Sequence, residues 1–342
     1  MSELDSLSVY EREHLYRIDM AKDEMQYGIS FLDDALEGIL PHDLIIITGR
    51  TGTGKTELSA TMARKNLKNH KRVTLFALEA AENEILSRLK FQETAKRFFE
   101  NREKYPSEII FNYPHWYRNK YWGIPEMELL ELEVTAFLQK ELYNLNIITP
   151  MTADFTKTDL DVLYSEYSRD SDLIILDHLH YIAMDDKESE IDNIKKIMFN
   201  LRNLINKNKK PVIAFSHTRK VSMKDQALVP VLEDIHGSSE IVKQANAVIS
   251  FAACRELPSK TNPDDKITIP LGDGGTLFKV LKARAGHSSC TNYVGYHKFN
   301  FNTKNYDENY VPYKINYFCN TLTPMKYVDF ENWMGLAREP KV

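Results

Sequence analysis

Only three cysteines occur in the 342 residues of the sequence, and Cys254, Cys290 and Cys319 lie far apart with no C-x-x-C pair. This spacing indicates neither a disulfide framework nor a zinc site, and it fits a reducing compartment. The sequence also lacks an uninterrupted apolar span near twenty residues and has no apolar segment at its polar N-terminus. Membrane-spanning helices and signal peptides need such segments, so we expect a soluble, cytoplasmic protein without membrane contacts.

A basic surface is absent as well. The 44 lysines and arginines are outnumbered by 49 aspartates and glutamates, which gives a net charge of −5. Any contact with nucleic acid must therefore be local. With 43% apolar residues the chain can bury a large core, either as one large α/β domain or as a core with appendages.

The sequence does contain a phosphate-binding loop with the flanking elements that such a loop needs. The aliphatic run 44–47 predicts a buried strand, the pattern G-x-x-x-x-G-K-T occupies 49–56, and 57–69 lacks glycine and proline and suits a helix. The glycines allow backbone N–H groups to point at phosphate oxygens, and the helix adds its positive N-terminal end. Lys55 is placed to reach the β- and γ-phosphates, and the Thr56 hydroxyl to hold Mg2+. We predict that a nucleoside triphosphate binds through Gly49, Arg50, Thr51, Gly52, Thr53, Gly54, Lys55, Thr56 and Glu57.

Three polar residues stand at or just beyond the ends of later predicted strands, namely Glu79, Asp177 and His217. Ligands of open α/β sheets bind at the carboxyl ends of the strands, so we expect these side chains near the phosphate loop. Glu79 is suited to orient or deprotonate the water that attacks the γ-phosphate, and Asp177 to engage Mg2+ opposite the Thr56 hydroxyl. His217 would sense an intact γ-phosphate through a hydrogen bond that hydrolysis removes.

Two further histidines follow Asp177 directly, at His178 and His180. Such a pair suggests a metal site, but the sequence places no third or fourth ligand nearby. We therefore interpret both imidazoles as local hydrogen-bonding groups.

The segment 111–122 is rich in aromatic residues and carries Arg118 and Lys120 between them. This mixture is suited to stack bases and to neutralise phosphates. It is more often found in a loop that caps a core or contacts another subunit, and both interpretations stay open.

The loop 218–233 is long enough to be mobile and carries Arg219, Lys220 and Lys224. These residues are candidates for phosphate contacts with nucleic acid. The alternative is ordinary solvated loop charge.

Several segments, in their order along the chain, resemble the ATPase domain of the RecA-like ring helicases. This group includes bacterial DnaB, the phage helicase-primases and mitochondrial Twinkle. The resemblance runs from about Gly28 to about Tyr296. The segment 212–217 ends in His217 and resembles the phage and Twinkle branch, where a histidine stands at the γ-phosphate sensor position. The segments that carry the resemblance are 38–56, 76–79, 173–180, 212–217, 234–238 with Gln244, and 282–284.

The resemblance implies an α/β fold, with a RecA-like P-loop NTPase core whose mostly parallel central sheet is flanked by helices and followed by C-terminal antiparallel strands. It divides the chain into an N-terminal arm or linker helix at 1–27, the ATPase domain at 28–301 and a C-terminal extension at 302–342. The ATPase domain would hold an aromatic-rich insert at about 98–125. Residues 1–27 would form either a surface helix or an arm that packs on a neighbouring subunit.

The resemblance also implies individual roles, with ATP and Mg2+ as cofactors. Lys55 and Glu79 would be catalytic, Asp177 would stand at the magnesium position, and His217 would be the γ-phosphate sensor. Arg284 would reach the neighbouring subunit's nucleotide as an arginine finger, with Lys282 as its partner, so that hydrolysis depends on assembly. The residues expected to contact nucleic acid are Arg219, Lys220 and Lys224, together with His236 and Gly237 in the motif that lines the central channel.

Several features depart from the family pattern. His178 and His180 replace the usual Tyr and Gln, and His236 stands where an arginine is usual. The sequence contains neither the DnaB N-terminal helical domain nor a primase domain, so we expect loading and priming to come from other proteins.

The resulting hypothesis is an ATP-dependent DNA helicase that forms a ring, expected to be a hexamer, and translocates on single-stranded DNA in replication. Its partners would be other copies of the chain, single-stranded DNA and a primase or loader protein. The alternative is a RecA- or KaiC-like ATPase that switches protein assembly without unwinding DNA.

Overall fold

The computed structural model describes residues 8–22, 24–150, 155–183, 188–219, 229–235, 238–253, 257–258, 266–267, 275–285, 290–316 and 321–324. The helices are α1 (Val9–Lys22), α2 (Ser30–Leu36), α3 (Lys55–Lys68), α4 (Glu82–Glu100), α5 (Tyr113–Tyr117), α6 (Pro125–Glu141), α7 (Lys157–Tyr167), α8 (Glu190–Asn208) and α9 (Ser238–Gln244). The strands are β1 (Leu44–Gly49), β2 (Val73–Ala77), β3 (Leu145–Ile148), β4 (Leu173–Asp177), β5 (Val212–His217), β6 (Ala247–Ala253), β7 (Leu257–Pro258), β8 (Lys266–Ile267), β9 (Gly275–Ala283), β10 (Tyr293–Asn300), β11 (Asn305–Asn316) and β12 (Thr321–Pro324).

Ten strands form one sheet in the order β12-β11-β10-β9-β6-β1-β5-β4-β2-β3. The strands from β3 to β6 in this order are parallel, and β9 to β12 continue the sheet in antiparallel fashion. The short strands β7 and β8 pair with each other. The predicted RecA-like α/β fold, with a mostly parallel sheet and C-terminal antiparallel strands, is confirmed.

Apolar residues fill the parallel strands because helices cover both faces of this part of the sheet. Every residue of β1 is buried. Ile45 and Ile47 point into a core that also contains residues of α2 and α3, whereas Leu44 and Ile46 point into a second core with α7 and α8. The alternation of side chains along one strand thus anchors both layers of helices.

The two ends of the chain differ in how they contact the sheet. Helix α1 is largely exposed, and its Tyr16 ring stacks on His42 at a centroid distance of 5.8 Å. Strands β11 and β12 extend the main sheet beyond residue 301. The domain boundaries at residues 27 and 301 stay predictions. None of the described helices is long and apolar enough to cross a bilayer.

The aromatic insert forms a third and smaller core on α4 and α6. The Phe111 ring stacks on Phe91 and Phe98 at centroid distances of 5.5 and 4.5 Å. The Trp116 ring also packs on Phe91, and its indole N–H donates to the Glu131 carboxylate. This packing agrees with the interpretation of the segment as a loop that caps a core.

A buried ion-pair network joins α3 to α4 and α6. The Arg64 side chain is only 5% exposed, and it bonds to the carboxylates of Glu93 and Glu141. Glu93 also accepts from the guanidinium of Arg97, 2.6 Å away. Buried charges are stable only when they are paired, so Arg64 fixes the helix after the phosphate loop to the insert-bearing helices.

We predict that Arg64→Ala lowers the free energy of unfolding by about 3 kcal/mol, because it leaves Glu141 buried without the cation that it bonds to. Urea denaturation followed by circular dichroism measures the change. The matched control is Arg17→Ala, which breaks the exposed 2.7 Å pair with Glu13 on α1 and should cost less than about 0.5 kcal/mol. Equal losses in the two variants would show that the network does not stabilise the fold.

Candidate active site

Glycines shape the loop between β1 and α3. Gly52 and Gly54 have φ values of +77° and +89°, which lie in the left-handed region that favours glycine. At Gly49, a Cβ atom would lie 2.8 Å from both the Phe251 ring and the Thr53 hydroxyl. A side chain there would therefore push the loop off the sheet, so the loop can lie close to β6 only with glycine at this position.

Lys55 begins α3, and its ammonium group lies inside the loop. The Nζ atom donates to the carbonyl oxygens of Gly49 and Arg50, at 3.2 and 3.1 Å. Burial lowers the pKa of Lys55, and the nearby carboxylates of Asp177 and Glu79 partly oppose that shift. A desolvated cation at the start of a helix, beside the N–H groups of a glycine-rich loop, is suited to bind phosphate oxygens.

The strand order brings the predicted catalytic side chains to one edge of the sheet. Strand β5 lies beside β1, with His217 in register with Gly49. Strand β4 follows, then β2, whose Ala77 is in register with Asp177 and leads directly to Glu79. The carboxyl ends of four parallel strands thus place His217, Asp177 and Glu79 next to the phosphate loop, as their positions in the sequence predict.

The Asp177 carboxylate is 1% exposed and belongs to a hydrogen-bonded cluster at the start of α3. It accepts from the hydroxyls of Thr56 and Ser59, the latter at 3.2 Å. Burial raises the pKa of Asp177 to about 6, against the effect of both hydrogen bonds. Its second oxygen, Oδ1, is buried without a hydrogen-bond partner among the described residues. An unsatisfied carboxylate oxygen beside a threonine hydroxyl fits a magnesium ion, which prefers oxygen ligands.

His178 and His217 face each other beside Glu79. Their ring centroids are 4.1 Å apart in an edge-to-face arrangement, and His178 Nε2 lies 3.2 Å from Glu79 Oε2 without the alignment of a hydrogen bond. Burial, followed by the neighbouring histidines, lowers the pKa of His178 to about 3. Burial and Lys55 lower the pKa of His217 to about 4, so both rings are neutral at pH 7.

The expectation that no further metal ligand lies near His178 is wrong, because the fold brings two other ligand residues close to it. One ligand atom each from Glu79, His178 and His217 lie within 4.8 Å of one another. The sequence separates these residues by up to 138 positions, and only the order of β2, β4 and β5 brings them together. His180 is nearby as well, since its Nδ1 accepts from the His217 backbone N–H at 3.5 Å.

Two further residues of the site escape sequence analysis. Ser59 stands three residues after Thr56, which places its hydroxyl one helical turn away and on the same side of α3. That spacing was available in the sequence. Tyr181 donates to the Glu79 carboxylate and lies edge-on to His178 at 4.8 Å. Nothing in the local sequence around Tyr181 indicates this contact.

Other predicted residues lie around the loop or away from it. The Glu57 carboxylate is buried against α4, where it accepts from Arg88 at 2.9 Å and Gln92 at 2.8 Å. Any contact of Glu57 with a nucleotide would therefore come from its backbone. Arg50 and Thr51 lie at the solvent side of the loop, where both are at least partly exposed.

Lys282 and Arg284 lie at the opposite edge of the sheet from the phosphate loop. Ala283 is in register with Ala247 at the amino end of β6, and the Arg284 N–H donates to the carbonyl oxygen of Asn246 at 2.9 Å. The Lys282 ammonium donates to backbone carbonyls at the end of α9. Roughly 15 Å of strand therefore separates Arg284 from the phosphate loop of the same chain.

Only one of the residues predicted to contact nucleic acid is described. Arg219 is exposed two residues after His217, and its backbone N–H donates to the Asp234 carbonyl at 2.7 Å. The others lie outside the described residues, namely Lys220, Lys224, His236 and Gly237.

Comparisons with known proteins identify a family for the chain. A family model for the DnaB-like helicase C-terminal domain matches residues 25–103 and 124–302. The match omits 104–123, which lie inside the predicted aromatic insert. None of the curated proteins matches the sequence significantly.

Two solved structures are similar to this chain at low sequence identity, which shows the fold alone. One is described as an ATPase domain, with a TM-score of 0.63 and 17% identity over 88% of this chain and 99% of that chain. The other is described as a DnaB-like replicative helicase and its interactions with primase, with a TM-score of 0.61 and 16% identity over 88% of this chain and 67% of that one.

The raised pKa of Asp177 predicts a pH dependence of stability without nucleotide or metal. The folded carboxyl keeps its proton to a higher pH than the unfolded one, so its stabilising contribution is lost as the pH rises through about 6. Asp177→Asn cannot ionise. Between about pH 4.5 and pH 8, its stability relative to the original protein should rise by about 2 kcal/mol in urea unfolding with EDTA.

Asp172→Asn is the matched control, whose stability difference should not change over this pH range. Burial of Asp172 is outweighed by hydrogen bonds from Arg72, so the pKa of this carboxyl is lowered. A lowered pKa stabilises the fold fully above the ordinary aspartate value of about 4 and loses that contribution only below it, so the cost of this replacement should stay nearly constant between about pH 8 and pH 4.5. A flat pH profile for the Asp177→Asn difference would show that this carboxyl titrates normally.

Proposed function

Since the chain belongs to the DnaB-like helicase C-terminal domain family, we propose that it is an ATP-dependent DNA helicase that assembles as a ring and acts in DNA replication. One observation carries the proposal. The phosphate loop, Asp177, Glu79 and His217 share one edge of the sheet, whereas Arg284 lies at the other. Such a chain offers half a site at each edge, and a complete site needs two chains.

The residues at the edge that carries the phosphate loop would have separate roles in ATP hydrolysis. The loop N–H groups and Lys55 would bind the β- and γ-phosphates of ATP. Asp177 and Thr56 would hold a magnesium ion, whose charge offsets that of the phosphates when it is bound. Glu79 would orient or deprotonate the attacking water, because its carboxylate lies close enough to Lys55 to act on the pKa of that lysine and its side chain is 46% exposed to solvent.

His217 would link the nucleotide to the nucleic acid. It lies at the end of β5 in register with Gly49, where a neutral imidazole is suited to hydrogen bond with a γ-phosphate oxygen. The chain continues directly to Thr218, which bridges to Ile235, and to the exposed Arg219. Loss of the γ-phosphate would thus remove a hydrogen bond of His217, which lies two residues before Arg219 in the loop proposed to contact DNA.

Arg284 would act on the nucleotide of a neighbouring subunit, with Lys282 as its partner. An arginine placed in trans stabilises the negative charge that develops on the transferred phosphoryl group. The backbone contacts of both side chains with α9 hold the K-x-R element beside the segment expected to line the channel. The rate of hydrolysis would then depend both on assembly of the ring and on DNA in the channel. We infer a hexamer that translocates on single-stranded DNA.

Primase or loader proteins are the partners we infer beyond the ring, since one similar structure is described with its interactions with primase. The net charge of −5 favours a second candidate function, an ATPase that switches protein assembly without unwinding DNA. The two functions differ in whether single-stranded DNA stimulates hydrolysis.

Steady-state ATP hydrolysis with and without single-stranded DNA, run beside light scattering for mass, tests the proposal. We expect stimulation of at least about tenfold, together with a ring mass that depends on ATP. Glu79→Gln serves as the control for contaminating ATPases, because it should bind ATP and hardly hydrolyse it. An unchanged rate with ATP-dependent assembly would favour the assembly switch instead.

We further predict that Arg284→Ala binds ATP but loses at least about 99% of its hydrolysis, since an arginine finger contributes about 10³-fold or more. Lys55→Ala should be inactive through its own phosphate loop. Mixing the two inactive chains should restore part of the activity, because some interfaces then combine an intact loop with an intact finger. No recovery on mixing, with mixed rings demonstrated by mass, would contradict action in trans.

A further inference from the structure

We propose that Glu79, His178 and His217 form a binding site for a divalent transition-metal ion such as Zn2+, next to the phosphate loop. One ligand atom from each residue lies within 4.8 Å of the other two. The set of two imidazoles and one carboxylate is a recognised ligand combination for zinc. The ion would occupy a position separate from the oxygen ligands Thr56 and Asp177.

The distances are close to those of a metal site. Zinc bonds of about 2.0 to 2.2 Å place tetrahedral ligand atoms about 3.4 Å apart. His178 Nε2 and Glu79 Oε2 are already 3.2 Å apart. The His217 ring stands edge-to-face with His178 at a centroid distance of 4.1 Å. A small movement of this one side chain, which is only partly buried, would complete the three protein ligands.

Burial of His178 provides a second and independent observation. The ring is 1% exposed, and among the described residues neither of its nitrogens has a hydrogen-bond partner. His217 Nδ1 is likewise buried without one in the described part of the chain. A buried polar nitrogen that makes no bond destabilises a protein, and a bond to a metal would satisfy it. Hydrogen bonding, the alternative interpretation of His178, is not realised at either ring nitrogen within the described ranges.

The ligand types select against magnesium. Imidazole nitrogen favours Zn2+, Cu2+, Ni2+ and Co2+, whereas Mg2+ prefers carboxylate, hydroxyl and water oxygens. The exposed half of Glu79 leaves room for water as a fourth ligand. The charge of Lys55 opposes a cation here, but the carboxylates of Glu79 and Asp177 lie close enough to act on Lys55 itself and offset it. Two neighbouring positions would thus prefer different cations.

Occupation of this site would stop ATP hydrolysis. Glu79 and His217 would bond to the ion and would no longer reach the attacking water and the γ-phosphate. This consequence rests on the proposed function, whereas binding of the ion does not. The site would therefore make hydrolysis sensitive to free transition-metal ions while leaving the phosphate loop intact.

The test uses the full chain without nucleotide, stripped with EDTA and returned to buffer with excess Mg2+. Titration with Co2+ should give the visible absorption of a four-coordinate ion at about one equivalent, and Zn2+ should displace it. His178→Gln, His217→Gln and Glu79→Gln should each weaken Zn2+ binding by at least about tenfold. His14→Gln, in the exposed part of α1, is the matched control and should bind as the original chain does.

Circular dichroism checks the folding of every variant. Should His178→Gln fail to fold, the more exposed His217 and Glu79 provide the decisive variants. Unchanged Zn2+ affinity in these two variants would overturn the proposal. So would absorption from sulfur-bound Co2+, which would assign the ion to a cysteine.

A second readout separates this proposal from the proposed function. At constant excess Mg2+, Zn2+ should inhibit ATP hydrolysis at the concentration that fills the Co2+-detected site, and a chelator should restore the rate. A filled site without inhibition would support the metal site and overturn the roles assigned to Glu79 and His217 in hydrolysis. Inhibition without a filled site would overturn the metal site alone.

Discussion

The hydrogen bonds between the first turn of α3 and the Asp177 carboxylate fix the geometry on which the whole site depends. Thr56 and Ser59 both donate to this buried group, so the helix that ends the phosphate loop is tied to β4 across the width of β5. The bonds compensate only part of the cost of burying a charge, since the pKa of Asp177 stays raised to about 6. A bound cation would complete the compensation at Oδ1. The same atoms therefore hold the fold together and prepare the ligand site.

A second set of polar contacts fixes the far side of α3. Glu57 bonds to Arg88 and Gln92. About two helical turns later on α3, Arg64 bonds to Glu93 and Glu141. The partners of Glu57 and Arg64 all lie on α4 and α6. Helix α3 is therefore held between β4 and the lobe that carries the aromatic insert. The family match omits 104–123 within that lobe. Since the rings of this segment pack on α4, the insert bears on the same helix that positions the phosphate loop.

The sequence predicts the backbone of the site better than its side-chain contacts. The positions of Glu79, Asp177 and His217 follow from apolar runs that end in a polar residue, because parallel strands align their carboxyl ends. The contact of Tyr181 with Glu79 and the approach of His178 to His217 depend on which strands are neighbours. Strand order is not encoded locally, and β5 enters between β1 and β4 from a segment more than 160 residues after β1. The placement of Lys282 and Arg284 at the opposite edge depends on the same long-range pairing.

The histidines at 178 and 217 place two imidazole rings at the catalytic edge of the sheet, and His178 is the one that departs from the family pattern. Both rings are neutral at pH 7, so they do not change the net charge of the group formed by Lys55, Asp177 and Glu79. They do introduce nitrogen lone pairs into a site otherwise built from oxygen ligands. Nitrogen ligands change which cation is preferred, whereas the phosphate-binding groups stay as they are. A substitution of this kind can therefore add a sensitivity to metal ions without rebuilding the catalytic edge of the sheet.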